Sequence, residues 1–175
     1  MTLKAIVLFC AVLATLAGWT VASAQPAAAA GPHLTKTEKT LLALLNHART
    51  SHGRHALRAV SSLERASRSH SKEMLRRGYV SHDSHNGTSD AARLRAFGYS
   101  RAGYSSWKVG EIIGWGKGSA SAARRIFHRW MKSPGHRKVL LQRSFRDVGV
   151  GAVNGTLCGL SGVRMVTVDF GHRAK

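Results

Sequence analysis

Four side chains stand out among those whose types bind metal ions or transfer protons. His82 and His85 stand three residues apart in YVSHDSHNG, Glu111 lies within VGEIIGWG, and His136 follows the chain-breaking Ser-Pro-Gly. Imidazole nitrogens and carboxylate oxygens are ordinary ligands of zinc and common general acids and bases. The chain has neither an HExxH motif nor a closely spaced cysteine pair, so no local motif builds a metal site.

Each of these residues also has an interpretation without a function. A loop histidine such as His82 or His85 is usually a solvated surface group, and His136 can be a turn residue at a helix start. A strand glutamate can face solvent, but Glu111 has apolar neighbours, and a buried carboxylate is costly unless it is paired. Only the fold can bring together residues that lie 29 and 25 positions apart.

Three helices are predicted before the glutamate, the third a short one that Thr88 or Ser89 can cap and that ends at Gly98. Thr35 and Glu38 form a capping-box pattern at the start of the first helix. In the second helix, which ends at Gly78, apolar residues recur at helical spacing and His70 lies on the same stripe. A histidine in that position is more often a hydrogen-bonded core residue than a ligand, and we predict the core role for His70.

The rest of the chain predicts strands and one further helix. Residues 109–116 are apolar and punctuated by glycine, which indicates a strand, and residues 122–132 have amphipathic helical spacing. Ser133-Pro134 ends that helix, because the residue before a proline avoids the α conformation. The Val-rich runs 148–153 and 163–170 predict an antiparallel pair joined by a Gly-rich loop. This order predicts an α+β domain with a small sheet packed against helices.

The N-terminal segment has the pattern of a secretory signal. Lys4 gives it a positive start, an apolar stretch follows, and Ala22-Ser23-Ala24 offers small residues for cleavage. We expect residues 1–24 to be removed and the protein to be secreted. An uncleaved membrane anchor is the alternative, because the uncharged stretch from Ala5 to Ala24 is just long enough for a membrane span, which takes about 20 residues. Residues 25–34 are predicted to be a Pro/Ala-rich linker and residues 35–173 a single domain without a transmembrane segment.

The chain is strongly basic, with 27 Lys and Arg against 8 Asp and Glu and a formal net charge of +19. Loss of the signal removes only Lys4, which leaves about +18. Such a charge predicts attraction to nucleic acid, cell-wall polymers or acidic lipid headgroups. The charges are scattered, so a merely solvated basic surface is an equal alternative. The aromatic content is only 7%, and the sequence has no stripe of alternating basic and aromatic residues. Both observations argue against a nucleic-acid-binding function.

Cys158 is the one cysteine that signal cleavage leaves. A secreted domain of this size without an intrachain disulfide relies on its core. The apolar and glycine neighbours of Cys158 predict a buried free thiol, with pairing between two chains as the alternative.

Several segments, taken in order, match one known pattern. Asn46, Arg49, Gly53 and Leu57 share the spacing of a first-helix motif. The later segments are ASRSHSKEMLRRGYVSH, VGEIIGWG, WMKSPGHRKVLLQRSFRDVGVGAV and VTVDFG. Together they cover about residues 37–171. On these motifs the chain resembles the CAP superfamily of cysteine-rich secretory, antigen 5 and pathogenesis-related-1 proteins, and specifically its cysteine-poor bacterial secreted branch.

The resemblance implies an α-β-α sandwich, with a small antiparallel sheet between helices, and a surface cleft. His82 and His136 take the places of the two cleft histidines of the family, and Glu111 takes that of its Gly-Glu glutamate. Many members bind a divalent metal, often zinc, through the two histidines, so these three residues are the implied metal site, with a fourth position left open. The expected cleft neighbours are His85, Ser133 and Arg137.

Two departures from the family pattern bear on the chemistry. Ile112 stands where the family has an asparagine, and no acid occurs between Glu111 and Asp147, where a second glutamate belongs. General acid–base catalysis favours two positioned groups. The departures therefore weaken a catalytic role for Glu111 more than they weaken metal binding.

We therefore expect a monomeric, secreted, non-enzymatic binding module for a lipid, a cell-envelope component or another anionic ligand, as the resemblance implies. The alternative is a metal-assisted hydrolase, such as a protease, in which a metal on His82 and His136 activates water and Glu111 assists. Nonspecific nucleic-acid binding ranks third. A divalent metal, zinc, is the one cofactor that the resemblance implies.

Overall fold

The computed structural model describes residues 32–175, so the predicted signal peptide and most of the predicted linker lie outside the described residues. The elements of the described part are α1 Lys36–Ser51, β1 Arg58–Ala59, α2 Ser61–Arg77, α3 Asp90–Ala96, β2 Ser106–Lys117, a 3-10 helix Gly118–Ser121, α4 Ala123–Lys132, α5 Pro134–Leu140, β3 Asp147–Leu157 and β4 Leu160–Ala174. Between residues 32 and 175, no helix is long and apolar enough to cross a membrane.

The four strands form one sheet in the order β1-β3-β4-β2. The short β1 runs parallel to β3, and the other neighbours are antiparallel. The predicted antiparallel pair is therefore confirmed, but the predicted Gly-rich loop is wrong. β3 continues to Leu157 and β4 begins at Leu160, so that only Cys158 and Gly159 form the turn.

The prediction of a buried thiol is also wrong, because Cys158 is exposed. Its backbone φ of 47° and that of Gly159, 80°, give the tight turn between the two strands. Paired positive φ values are what a two-residue hairpin turn requires, since they match the twist of the flanking strands. The Cys158 side chain lies at the surface and donates to the Gly78 carbonyl at 3.1 Å.

Helices cover both faces of the sheet, which confirms the α-β-α sandwich. On one face, α2 and α3 bury two clusters around Leu63 and Met74. On the other face, α1 and α4 bury the largest cluster, in which Leu45 and Trp130 pack against strand residues such as Val168. Burial of this apolar surface is the main stabilising term of such a layered domain.

The helix α2 lies unusually close to β3, because two glycines of the GVG sequence face it. A Cβ atom on Gly149 would lie 2.1 Å from the Leu63 backbone, and one on Gly151 would lie 2.2 Å from the Arg68 backbone. Ser67 and Ser71 fill the narrow gap, and their hydroxyl oxygens lie within hydrogen-bond distance of the carbonyls of the two glycines, at 3.1 and 2.9 Å. This packing fixes the position of α2 against the sheet. α2 carries His70, whose side chain bonds to the loop on which His82 lies.

A buried arginine fixes the chain after α5. Arg49 is 0% exposed and donates to the carbonyls of His55, Leu140, Gln142 and Phe145 at 2.7–3.1 Å. Burial, together with neighbouring arginines, lowers its pKa to about 10. A side chain with five fixed donors suits this task, and it locks α5, on which His136 lies, against α1.

Candidate functional site

Glu111 lies on β2 with its side chain 1% exposed. Its Oε1 accepts a hydrogen bond from His82 Nδ1 at 2.7 Å, and its Oε2 accepts one from the Arg93 guanidinium at 2.5 Å. Each oxygen of the carboxylate therefore accepts a hydrogen bond from a side chain that can carry positive charge. Such pairing offsets the cost of burying a carboxylate. The sequence predicted that a buried Glu111 needs a partner, and the structure supplies two, His82 and Arg93 on α3.

The loop that carries His82 is held from two sides. His70 on α2 is buried, and its Nε2 donates to the Ser81 carbonyl at 2.8 Å. Arg93 donates to the His82 carbonyl and to Ser84 Oγ, each at 3.1 Å. The prediction that His70 is a hydrogen-bonded core residue is thus confirmed, and its bond sets the start of the loop at which His82 stands.

A second carboxyl group lies beside Glu111 in the sheet. Asp169 on β4 is the cross-strand partner of Glu111, is 0% exposed, and accepts from Ser67 Oγ at 2.7 Å. Burial and then the negative charge of Glu111 raise the pKa of Asp169 well above its ordinary range. The burial and the neighbouring carboxyl group thus both favour the neutral form of Asp169.

The sequence carried a signal for only one of the two missed residues. Asp169 stands in the Val-rich run VTVDFG, and the argument that Glu111 needs a partner applies to it equally. Arg93 is one of many arginines on predicted helices, and nothing in its local pattern distinguishes it. The fold alone brings Arg93 to Glu111.

His82 is exposed although its partner is buried, since its side chain is 61% accessible. The hydrogen bond to Glu111 is the largest influence on this imidazole and raises its pKa, against the opposing effect of burial. Because Nδ1 donates to the carboxylate, Nε2 is the ring nitrogen left for a ligand. Glu111 thus orients an imidazole at the protein surface.

His136 lies in the first turn of α5, and its Nδ1 is 2.8 Å from Ser133 Oγ. Ser133 occupies the position before Pro134, where α4 has ended and α5 begins, as the sequence predicted. Burial and then the positive charge of His82 lower the pKa of His136. The two histidines therefore influence each other, and His136 is the one that stays neutral to lower pH.

His82 and His136 line one cleft of about 840 Å³. Its wall comprises Val80–His82, Ile113–Lys117, Arg129, Trp130, Ser133 and His136. Val80 and Trp115 are large apolar residues that remain 47% and 40% exposed there, and Lys117 and Arg129 add exposed positive charge.

Three of the predicted site residues lie elsewhere. Glu111 lies behind His82 rather than on the cleft wall. The His85 ring makes an edge-to-face contact with the Tyr79 ring, with 5.7 Å between the ring centroids. Arg137 donates a hydrogen bond to His52 Nε2 at 3.0 Å. The cleft thus contains His82, Ser133 and His136 of the predicted set.

The residues present fit a metal only in part. Over residues 32–175, no group of three His, Cys, Asp or Glu side chains is arranged to hold a metal ion. Glu111 does not act as a third ligand in this arrangement, because His82 and Arg93 occupy its oxygens. Glu111 instead orients the His82 imidazole, as a carboxylate behind a metal-binding histidine does in metal sites. The cleft offers two imidazoles, fewer than the three protein ligands of a catalytic zinc site.

The sandwich, with two histidines in its cleft and a glutamate behind one of them, defines a class of protein, and the comparison with known families agrees. Residues 42–169 match the description "Cysteine-rich secretory protein family", CAP. The chain belongs to this family, as the motifs in its sequence indicated.

Individual relatives extend this result. The chain is 31% identical over 116 residues to "Uncharacterized protein YkwD" of Bacillus subtilis, a match that covers 66% of this chain and 42% of that protein. It therefore spans less than half of that relative.

Solved structures share the fold. An outer surface protein of Borrelia burgdorferi has a TM-score of 0.64 at 18% identity, with 82% of this chain and 99% of that chain covered. An extracellular protein containing a SCP domain from Bacillus anthracis has a TM-score of 0.61 at 26% identity, with 83% and 45% covered.

Proposed function

We propose that this protein is a secreted, non-enzymatic binding module whose cleft takes an anionic lipid or another anionic component of the cell envelope. The observation that carries the proposal is the composition of the cleft wall. Exposed Val80 and Trp115 lie beside exposed Lys117 and Arg129. Exposed apolar residues in a concave site mark a ligand-binding surface, and the cations select its charge.

The segment that supplies Lys117 and Arg129 to the cleft is basic throughout. Residues 112–146, which include α4 and α5, contain nine Lys or Arg and no acid. Arg125, His128, Arg129 and Lys132 line a groove on α4, and Arg129 belongs to both this groove and the cleft. Uncompensated positive charge over one layer attracts anionic surfaces and is weakened by salt.

A binding role is favoured over catalysis because Glu111 is ill placed to act as a base. A general base must reach the proton that it removes, whereas both Glu111 oxygens are engaged and the side chain is 1% exposed. Secretion belongs to the same proposal. It is supported by the signal pattern of residues 1–24 and by the extracellular relative of Bacillus anthracis.

Divalent metal binding, with zinc as the expected ion, is a second part of the proposal. His82 offers Nε2 while Glu111 holds Nδ1, and His136 lines the same cleft. Two imidazoles with open positions suit a weak site completed by water or by the ligand. The metal-assisted hydrolase remains the alternative function, in which this metal would supply an activated water.

Vesicle co-sedimentation tests the binding role. We expect the purified protein to sediment with phosphatidylglycerol-containing vesicles, to sediment less as salt rises, and to remain in solution with phosphatidylcholine vesicles. Purified cell-wall material forms a parallel arm. Equal binding to charged and neutral vesicles, unchanged by salt, would overturn the proposal.

A further inference from the structure

β2 is an edge strand, and the direction of its backbone groups follows from the pairing of β4. The Gly171 carbonyl accepts from Arg146 N, on the β3 side, whereas the Ala174 carbonyl accepts from Ser105 N, on the β2 side. Alternation along β4 therefore turns its odd-numbered residues towards β3 and its even-numbered residues towards β2.

The register carries this alternation into β2. Ile113 is opposite Thr167 and Trp115 is opposite Met165, so both are opposite residues that bond to β3. In an antiparallel pair the N–H and C=O of one residue point to the same side. Ile113, Trp115 and Lys117 therefore direct their backbone groups away from the sheet, at the cleft wall to which all three belong.

Side chains of α4 occupy the acceptors of this edge and leave the donors open. Trp130 Nε1 donates to the Ile113 carbonyl at 2.9 Å, and the Arg129 guanidinium donates to the Trp115 carbonyl. No acceptor within residues 32–175 bonds to the N–H groups of Ile113, Trp115 or Lys117. The donors recur every second residue, about 6.8 Å apart.

A row of open donors beside closed acceptors discriminates between ligands. An added peptide strand needs acceptors for its own N–H groups, and two carbonyls of this edge already accept from side chains. An oxyanion carries acceptors only, and it gains charge-assisted bonds from Lys117 and Arg129. The same arrangement also protects the edge from pairing with another chain.

We propose that the outer edge of β2, with Lys117 and Arg129, binds the phosphate group of an amphiphilic ligand whose apolar part lies against Val80 and Trp115. This inference rests on the proposed binding function and deepens it, because it names the group recognised and the atoms that recognise it. The exposure of Val80 and Trp115 in the same cleft supports the apolar half of the ligand.

Backbone NMR tests the donor row directly. The ¹⁵N-labelled protein is titrated with monomeric dihexanoylphosphatidic acid, with glycerol 3-phosphate, and with dihexanoylphosphatidylcholine. We expect the amide protons of Trp115 and Lys117 to move downfield together on addition of the phosphatidic acid, because one phosphate group can span two donors about 6.8 Å apart but not all three. The amides of Gly114 and Gly116 point to β4 and are an internal control that moves less. Equal movement of both sets, or none, would overturn the donor row.

Charge variants test the cations. We expect Lys117→Ala with Arg129→Ala to weaken phosphatidic acid binding at least about tenfold. Arg124→Ala with Lys138→Ala removes the same charge from exposed positions outside the cleft wall, and we expect a small effect. Equal losses in the two double variants would replace the site by general electrostatics. Glycerol 3-phosphate binding as tightly as the phosphatidic acid would overturn the apolar contact.

The vesicle experiment separates this inference from the proposed function. Vesicle binding without the amide shifts leaves the binding module standing and removes the β2 site. Amide shifts with the soluble phosphatidic acid, but no vesicle binding, retain the site and overturn the membrane-binding role.

Discussion

Glu38 and Glu111 are two buried carboxylates with opposite surroundings. Glu38 on α1 is 0% exposed, and its oxygens accept from Thr35, Arg68 and the Ala152 backbone at 2.7–3.1 Å. These donors tie α1 to α2 and β3. Glu111 is as deeply buried, but one of its two donors is an imidazole that is 61% exposed.

The difference teaches how a buried acid becomes part of a site. Both carboxylates have an arginine partner, so neither burial nor an ion pair separates Glu38 from Glu111, the residue behind the proposed site. What separates them is the position of the remaining partner, because His82 lines the cleft, whereas Thr35, although also exposed, is not part of the cleft wall. On this reasoning Glu38 stabilises the fold, and Glu111 positions His82 for the cleft.

The largest effect is expected from Glu38→Ala. The substitution leaves the Ala152 N–H without its acceptor and removes two of the bonds of Arg68, so we expect the free energy of unfolding to fall by about 3 kcal/mol. Urea denaturation measures it, with Asp83→Ala at an exposed loop position as the control. A loss below about 1 kcal/mol would show that Glu38 is not the structural member of the pair.

Acid titration gives the next effect. Burial alone would raise the pKa of Glu38, but the bonds from Arg68, Ala152 and Thr35 outweigh it, so that its pKa lies below the ordinary 4.5. Glu38 therefore stabilises the fold above that value and loses this contribution as the pH falls through its folded pKa. The advantage of wild type over Glu38→Gln should shrink by up to about 1.4 kcal/mol per pH unit in that range. A constant difference from pH 6 to 3, measured by urea denaturation, would contradict this assignment.

The fold and the local contact of Glu38 with Thr35 could be predicted from the sequence. The capping box at Thr35 is local, and it forms as predicted. Helical and strand periodicities and the Ser133-Pro134 break also reflect local physics. The cleft histidines became visible only through the resemblance, because His82 and His136 lie 54 positions apart.

What could not be predicted depends on tertiary contacts. The pairing of Arg93 with Glu111 joins α3 to β2, and the exposure of Cys158 depends on a two-residue turn rather than on its apolar neighbours. The open donors of β2 require knowledge of which strand lies at the edge. Sequence patterns indicate which residues are apolar, but they do not give strand order.

Zinc titration tests whether the two cleft histidines, His82 and His136, bind a metal ion. We expect His82→Ala and His136→Ala each to weaken zinc binding at least about tenfold, or about 1.4 kcal/mol. The chain has ten histidines, so the exposed His47 on α1 serves as a matched control through His47→Ala. Calorimetry measures the three affinities. Wild-type affinity in both cleft variants would remove the metal from the proposal.

The smallest effect on stability is expected from the loss of His82, the exposed partner of Glu111. His82→Ala removes one of two donors to Glu111, yet we expect the free energy of unfolding to fall by less than about 1 kcal/mol, because water can replace an exposed imidazole. Arg93→Ala removes the other donor, whose side chain is 6% exposed, and should cost about 3 kcal/mol. Urea denaturation of both variants measures the contrast. Equal losses would mean that His82 is a structural partner of Glu111, as Arg68 is of Glu38, and that the carboxylate does not serve the cleft.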